Sequence, residues 1–255
     1  MADEDCKYRT VVAAHRGGAL LWAENSMKAF RGAVGLGVEQ IETDLHLSAD
    51  DEPVIIHDAT LDRTTEASGA VREMDWETLR TIAIKGDDAG TIPHLDDVSR
   101  LLQATDITLR LELKSDASRR RYPGIADIAI AHLKAAGMLE RTIFTAFDWD
   151  YLREVRDIVP EAPFIGLVNA GRYRVLGGLD GVLAVAEVDG VSEIAFPVDL
   201  LKDGAVSRAA ARGIALGVYA VKSEAQTRRA LAEGVRAFTT DLPDLALELR
   251  KEICR

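Results

Sequence analysis

From residue 10 onward the chain alternates short runs of apolar and β-branched residues with longer segments of helical period, which restricts it to folds built from parallel βα units. Eight such runs occupy residues 10–14, 39–45, 107–113, 142–147, 163–169, 191–198, 214–221 and 235–240. Parallel neighbours need a crossover of a dozen or more residues, and the segments between the runs supply one. Residues 24–36 set Met27, Phe30 and Val34 on one face and stop at Gly37. Helices are predicted in the same way over 95–104, 124–136, 148–159, 202–212, 223–233 and 243–253, with a less regular one over 179–187.

Eight strands in 255 residues, with no Pro- or Ser-rich linker, point to one closed (β/α)8 TIM barrel spanning 1–255. A doubly wound sheet is the alternative. With 47% hydrophobic residues there is apolar material for a sizeable core. The stretch 46–94 is too long for an ordinary connection. It reads as an elaborated loop at the C-terminal face of the barrel, with a short strand over 52–57 and a short helix over 74–82.

A net charge of −11 sets the overall field against polyanions, so nucleic acid and stable membrane association are not expected. Residues 1–10 carry Asp3, Glu4 and Asp5 without an apolar core segment, and no run of about 20 apolar residues follows. A soluble, cytoplasmic protein is the expectation. Cys6 and Cys254 are too few for a thiolate metal site or a disulfide framework and are read as free thiols.

The polar residues at the strand ends carry the chemistry. The first strand ends in His15-Arg16-Gly17-Gly18, which alone is also what a solvated strand end looks like. On the second, the two-residue period sends Glu42 and Asp44 to one face. Two carboxylates about 4 Å apart repel by roughly 4 kcal/mol at an effective dielectric near 20, so solvent, a proton or a cation must relieve them. The third repeats the device with Glu112 and Lys114. Glu42, Asp44 and Glu112 can therefore form an all-oxygen cluster of the kind that suits Mg2+ or Ca2+. A second histidine, His57, closes the run Val54-Ile55-Ile56, and two histidines titrate in the range that acid and base catalysis of phosphodiester cleavage requires.

Together, His15-Arg16-Gly17, Glu24-Asn25, Glu42-Thr43-Asp44, His57-Asp58, Leu61-Asp62-Arg63-Thr64-Thr65, Ile92-Pro93, Glu112-Leu113-Lys114 and Thr240-Asp241-Leu242-Pro243 resemble, in order and spacing, the glycerophosphodiester phosphodiesterases. The resemblance implies a barrel with a small insertion after the second strand, at 46–94 here. It implies a divalent cation, Mg2+ or Ca2+, on Glu42, Asp44 and Glu112, with His15 and His57 as the acid/base pair and Arg16 and Lys114 gripping phosphate. The activity implied is hydrolysis of a small glycerophosphodiester to glycerol 3-phosphate and an alcohol, with attack by the glycerol 2-hydroxyl giving a cyclic phosphate that water opens. Two departures stand out: Ala23-Glu24-Asn25-Ser26 replaces the family's Pro-Glu-Asn-Thr, and Tyr219 stands where a tryptophan is common. Tyr219 could wall the substrate pocket, with Phe147 opposite. Cleavage of a lysophospholipid or phosphoinositide is the alternative activity, and a catalytically silent binding barrel the non-enzymatic one.

Overall fold

The structure, a computed structural model, describes residues 10–253. Cys6 and Cys254, and with them the free-thiol reading, lie outside the described residues. Among the described residues there are nine strands: β1 Val11–His15, β2 Gln40–Leu47, β3 Pro53–Ile55, β4 Thr108–Leu113, β5 Thr142–Ala146, β6 Phe164–Leu167, β7 Glu193–Pro197, β8 Ala215–Val221 and β9 Ala237–Thr240. The helices are α1 Met27–Leu36, α2 Trp76–Leu79, α3 Leu95–Gln103, α4 Ile125–Ala135, α5 Trp149–Ile158, α6 Ala170–Val175, α7 Leu179–Asp189, α8 Ala205–Ala210, α9 Glu224–Glu233 and α10 Pro243–Ile253. Eight strands run parallel in the order β1-β9-β8-β7-β6-β5-β4-β2, and a β1–β2 pairing closes the ring. The short β3 lies antiparallel on β2. This is a TIM barrel, not an open doubly wound sheet.

Strand alternation sorts the side chains. On β2 and β4, Ile41, Leu45, Leu109, Leu111 and Leu113 join one large apolar cluster with helix residues such as Phe30, Leu95 and Ile130. Each fully buried aliphatic side chain of this kind is worth about 1.5–3 kcal/mol. The intervening residues Glu42, Arg110 and Glu112 border the interior cleft. Residues 46–94 carry an apolar cluster of their own, which includes Val54, Ile56, Leu61, Leu79 and Ile92.

Differences from the expected elements fall at ends and caps. The first helix starts at Met27 because the Ser26 hydroxyl accepts the Ala29 amide at 3.1 Å, which leaves Glu24 and Asn25 in the preceding loop. The helix expected over 74–82 reduces to the single turn α2, capped by Asp75 and preceded by a 3-10 turn at Val71–Glu73. The strand expected over 52–57 keeps only Pro53–Ile55. The helix expected over 202–212 keeps only Ala205–Ala210. The short α6 was not anticipated; Asn169 caps it by accepting the Arg172 amide at 2.9 Å. Among the described residues, no helix is long and apolar enough to cross a membrane.

His46 ties the insertion to the barrel. Its Nε2–H donates to the His57 carbonyl at 3.1 Å and its Nδ1 accepts from the Tyr122 hydroxyl at 2.9 Å, which fixes the neutral ring. Burial lowers its pKa to about 4. The unfolded chain takes up this proton near pH 6.5 while the folded chain refuses it until about 4, so the unfolded state binds more protons in between. The stabilisation is complete above pH 6.5 and lost as pH falls toward 4. The difference corresponds to about 3 kcal/mol. Urea unfolding at pH 7 and pH 4 is expected to show wild type losing about that much more stability than His46→Gln, which keeps both polar atoms but cannot titrate; parallel losses would remove His46 from the acid response.

Candidate active site

The register of the parallel strands assembles the site. His15 at the end of β1 lies beside Glu42, and Asp44 lies beside Glu112 on β4. Directly after β1 the backbone turns through Arg16 at φ 51° and Gly17 at φ 83°. A Cβ on Gly17 would come within 2.7 Å of the Ala29 methyl and 2.8 Å of its carbonyl carbon, so the chain can pass this close to α1 only as glycine. The Arg16 amide, pulled inward by this turn, donates to Glu42 Oε2 at 3.1 Å.

Glu42, Asp44 and Glu112 are all buried, and one oxygen from each falls within 4.8 Å of the other two. Burial first, and the neighbouring Asp44 charge second, push the Glu42 carboxyl up to about 7. Asp44 goes the other way: burial opposes its charge, but Lys114, His57 and Arg16 hold it well below the usual carboxylate range. Lys114 Nζ donates to Glu112 Oε1 at 2.8 Å and lies 3.2 Å from Asp44 Oδ1. Burial disfavours its charge, yet the two carboxylates raise its pKa. Asn25 donates to Asp44 Oδ2 at 2.8 Å and is itself held by the Thr43 hydroxyl. Asp44 Oδ1 is buried without an aligned hydrogen-bond donor. Three converging carboxylates, with Asp44 Oδ1 facing the Lys114 charge but without an aligned donor, make a donor set that fits a hard divalent cation.

The histidines approach from two sides. His15 Nδ1 is hydrogen-bonded to Asp241 Oδ1, which leaves Nε2 facing Glu42 Oε2 at 4.0 Å. Burial lowers its proton affinity, but the Asp241 bond and the Glu42 charge outweigh that and raise its pKa. Asp241 in turn lies 3.2 Å from Lys222 Nζ. His57 stands after β3, not on a barrel strand, and its Nδ1 meets Asp58 Oδ1 at 2.5 Å. Burial and the Lys114 and Arg16 charges together outweigh Asp44 and lower its pKa. Arg63 then clamps Asp58 at 2.6 Å and Glu24 at 2.7 Å, and Glu24 also receives Arg16 Nη1 at 2.8 Å.

A cleft of about 250 Å³ opens among these groups, bordered by His15, Arg16, Glu42, His57 and Glu112. Phe147 and Tyr219 border it too, but they are not opposite each other: their rings meet edge to face at 5.8 Å as one apolar wall. The Tyr219 hydroxyl donates to the Val168 carbonyl at 3.1 Å. A register shift in β8 between Val218 and Val221, with Ala220 at φ 60°, sets the direction of this wall. Seven of the nine residues singled out by sequence border this cleft, and the other two pair with residues that do, Asp44 with Arg16 and Lys114 with Glu112. Sequence reasoning gave no role to Asp241, Asp58, Glu24 or Arg63, although each stood inside a quoted motif. Arg110 was missed outright; it is buried inside the barrel beside Gln40, with Glu193 at 3.8 Å.

The family model for glycerophosphoryl diester phosphodiesterases matches residues 15–245. The chain belongs to that family. A glycerophosphodiester phosphodiesterase of Caldanaerobacter subterraneus subsp. tengcongensis is 30% identical over 246 residues, covering 94% of this chain and 98% of that protein. One from Bacillus altitudinis is 29% identical over 254 residues, covering 96% and 99%. A crystal structure of a protein from Agrobacterium tumefaciens assigned to the same family superimposes with a TM-score of 0.92 at 31% identity, covering 96% of this chain and 98% of that one. At 22% identity the fold is also shared with an Oleispira antarctica phosphodiesterase solved with its product sn-glycerol-3-phosphate, with a TM-score of 0.78 and coverage of 93% and 95%.

Proposed function

We propose that this chain, barrel and insertion acting as one unit, hydrolyses glycerophosphodiesters to glycerol 3-phosphate and an alcohol with the aid of a divalent cation. The observation that carries the reading is the meeting of three buried carboxylates, two histidines and two fixed cationic side chains around one cleft, with Asp44 and Lys114 joined to it through Arg16 and Glu112. Family membership supports the reaction class. A cation held by Glu42, Asp44 and Glu112 would polarise a phosphate oxygen and offset the negative charge that develops on it, Mg2+ or Ca2+ being the ions that suit these oxygens.

The remaining work falls to the chain's own groups. Arg16 and Lys114 bring positive charge to the rim of the carboxylate cluster, where nonbridging phosphate oxygens would sit. One histidine takes the proton of the glycerol 2-hydroxyl as it attacks phosphorus, and the other protonates the departing alkoxide. Water then opens the cyclic phosphate with the roles reversed. The environments of His15 and His57 move their proton affinities in opposite directions, the condition for one to arrive protonated and the other neutral. Asp241 holds His15 by Nδ1 and so presents Nε2 to the cleft. Phe147 and Tyr219 give the glycerol or alcohol moiety an apolar surface.

The direct test is glycerol 3-phosphate release from glycerophosphocholine. Turnover is expected with Mg2+ or Ca2+, to stop in excess EDTA, and to return on adding the ion back. Preference for lysophosphatidylcholine would assign the chain to lysophospholipid cleavage instead, and tight substrate binding without turnover by the metal-loaded protein would make it a binding barrel.

Asp241→Asn keeps the shape of the contact but removes the charge that orients His15 and favours its protonated form. It is expected to lower kcat by roughly 100-fold, the scale of lost acid/base catalysis, with KM little changed. The alkaline limb of the pH–rate profile, set by the group that must be protonated, should move to lower pH as well; an unaltered profile and kcat would leave Asp241 with no part in positioning His15.

A further inference from the structure

The geometry points to a second metal site, built for a zinc-class ion, where the insertion meets helices α3 and α4 on the outside of the barrel. His94, Asp96 and His132 converge there, sharing no residue with the carboxylate cluster, and one donor atom from each lies within 4.8 Å of the others. His132 Nδ1 is 2.9 Å from Asp96 Oδ1, and His94 Nδ1 is 3.4 Å from Asp96 Oδ2. Four ligands held tetrahedrally at zinc–nitrogen and zinc–oxygen bond lengths sit about 3.3 Å apart, so three donors already within 4.8 Å of one another need only contract toward the ion. Two imidazoles and a carboxylate select Zn2+ and its transition-metal neighbours over Mg2+ or Ca2+, the reverse of the all-oxygen cluster in the barrel.

An independent observation concerns the far edge of the His94 ring. There Nε2 meets Glu52 Oε2 at 3.1 Å. That carboxylate fixes the tautomer with the proton on Nε2 and the lone pair on Nδ1, the edge that faces Asp96 and His132. Histidines that bind metal are regularly held in this way by a carboxylate on the other nitrogen. Trp76 packs on the same ring with a centroid separation of 5.0 Å, restricting its rotation. The lone pair now accepts the Asp96 amide at 3.1 Å. Metal binding therefore exchanges one backbone hydrogen bond for a metal–nitrogen bond, while Asp97 continues to accept the His94 amide at the start of α3. Asp96 and His132 are partly open to solvent, so an ion can enter, with water completing its coordination.

The ion would join two pieces of chain: the start of α3, where His94 caps the helix and Asp96 lies in its first turn, and α4 at His132. Its expected effect is on stability rather than turnover.

The test uses the full chain, stripped of metal and dialysed against micromolar Zn2+ in millimolar Mg2+, with bound zinc counted and thermal unfolding followed in parallel. Wild type should bind one equivalent that both His132→Ala and Asp96→Asn lose. The Zn2+-induced rise in Tm, about 5 °C for a chain of this size at a hundredfold excess over Kd, should vanish with it. Glu112→Gln should keep that equivalent, and His132→Ala should release glycerol 3-phosphate in Mg2+ at the wild-type rate if the proposed activity holds. The zinc count stands whether or not it does. If His132→Ala does not fold, Asp96→Asn, which is nearly isosteric, carries the count. Zinc retained by the folded variants, or lost in Glu112→Gln instead, would overturn the proposal.

Discussion

The mutual repulsion of Glu42, Asp44 and Glu112 governs the mouth of this barrel. Burying three carboxylates within 4.8 Å of one another is unfavourable by several kcal/mol unless positive charge or protons compensate. The described side chains compensate in part. Lys114 takes Glu112 and approaches Asp44, Arg16 approaches Asp44 from the other side, and Glu42, left with one backbone amide and His15 nearby, is driven toward protonation. Much of the surrounding network exists to hold those compensating groups. Glu24 steadies Arg16, Arg63 steadies Glu24 and Asp58, and Asp58 steadies His57, so one charge chain runs from the carboxylates to His57. Such a network stores unfavourable energy at the place where a cation or a phosphate would release it.

The backbone carries a related strain. Arg16, Asn25 and Ala220 all adopt positive φ without being glycine, and all three lie in segments that shape or support the cleft. Each is over-determined by its neighbours: Arg16 by Glu42 and the Gly17 approach to α1, Asn25 by Asp44 and Thr43, and Ala220 by the register shift in β8. Strained residues of this kind gather at functional sites because the surrounding fold can sustain them.

The barrel was legible because its signal is periodic. A strand buried on both faces must read as a short apolar run, and eight of them separated by helix-length segments leave few alternatives. The carboxylate cluster was legible for the same reason, since a period of two places Glu42 with Asp44 and strand adjacency brings Glu112 to them. What escaped was whatever depends on contacts distant in sequence. Asp241 reaches His15 across 226 residues, and Arg63 reaches Glu24 across 39, separations on which no local pattern bears. The interior placement of Arg110 was missed because its partners Gln40 and Glu193 come from two other strands. Helix ends were misjudged where a cap overrode propensity, as Ser26 does for α1. Phe147 and Tyr219 were set opposite each other because a sequence gives no distance across a barrel, whereas their rings touch.

If buried carboxylate repulsion is the constraint on which the site is built, it should be measurable without any substrate. The decisive quantity is the unfolding free energy of wild type and Glu42→Gln at pH 8, each with and without Mg2+. Glu42 titrates at about 7 in the fold, so at pH 8 its charge destabilises the metal-free protein relative to an unfolded chain in which it ionises near 4.5. The neutral variant should therefore be more stable than wild type without metal, by up to about 3 kcal/mol, and should gain little from Mg2+. Wild type should gain stability from Mg2+. A metal-free variant less stable than wild type, stabilised by Mg2+ to the same degree, would contradict the account.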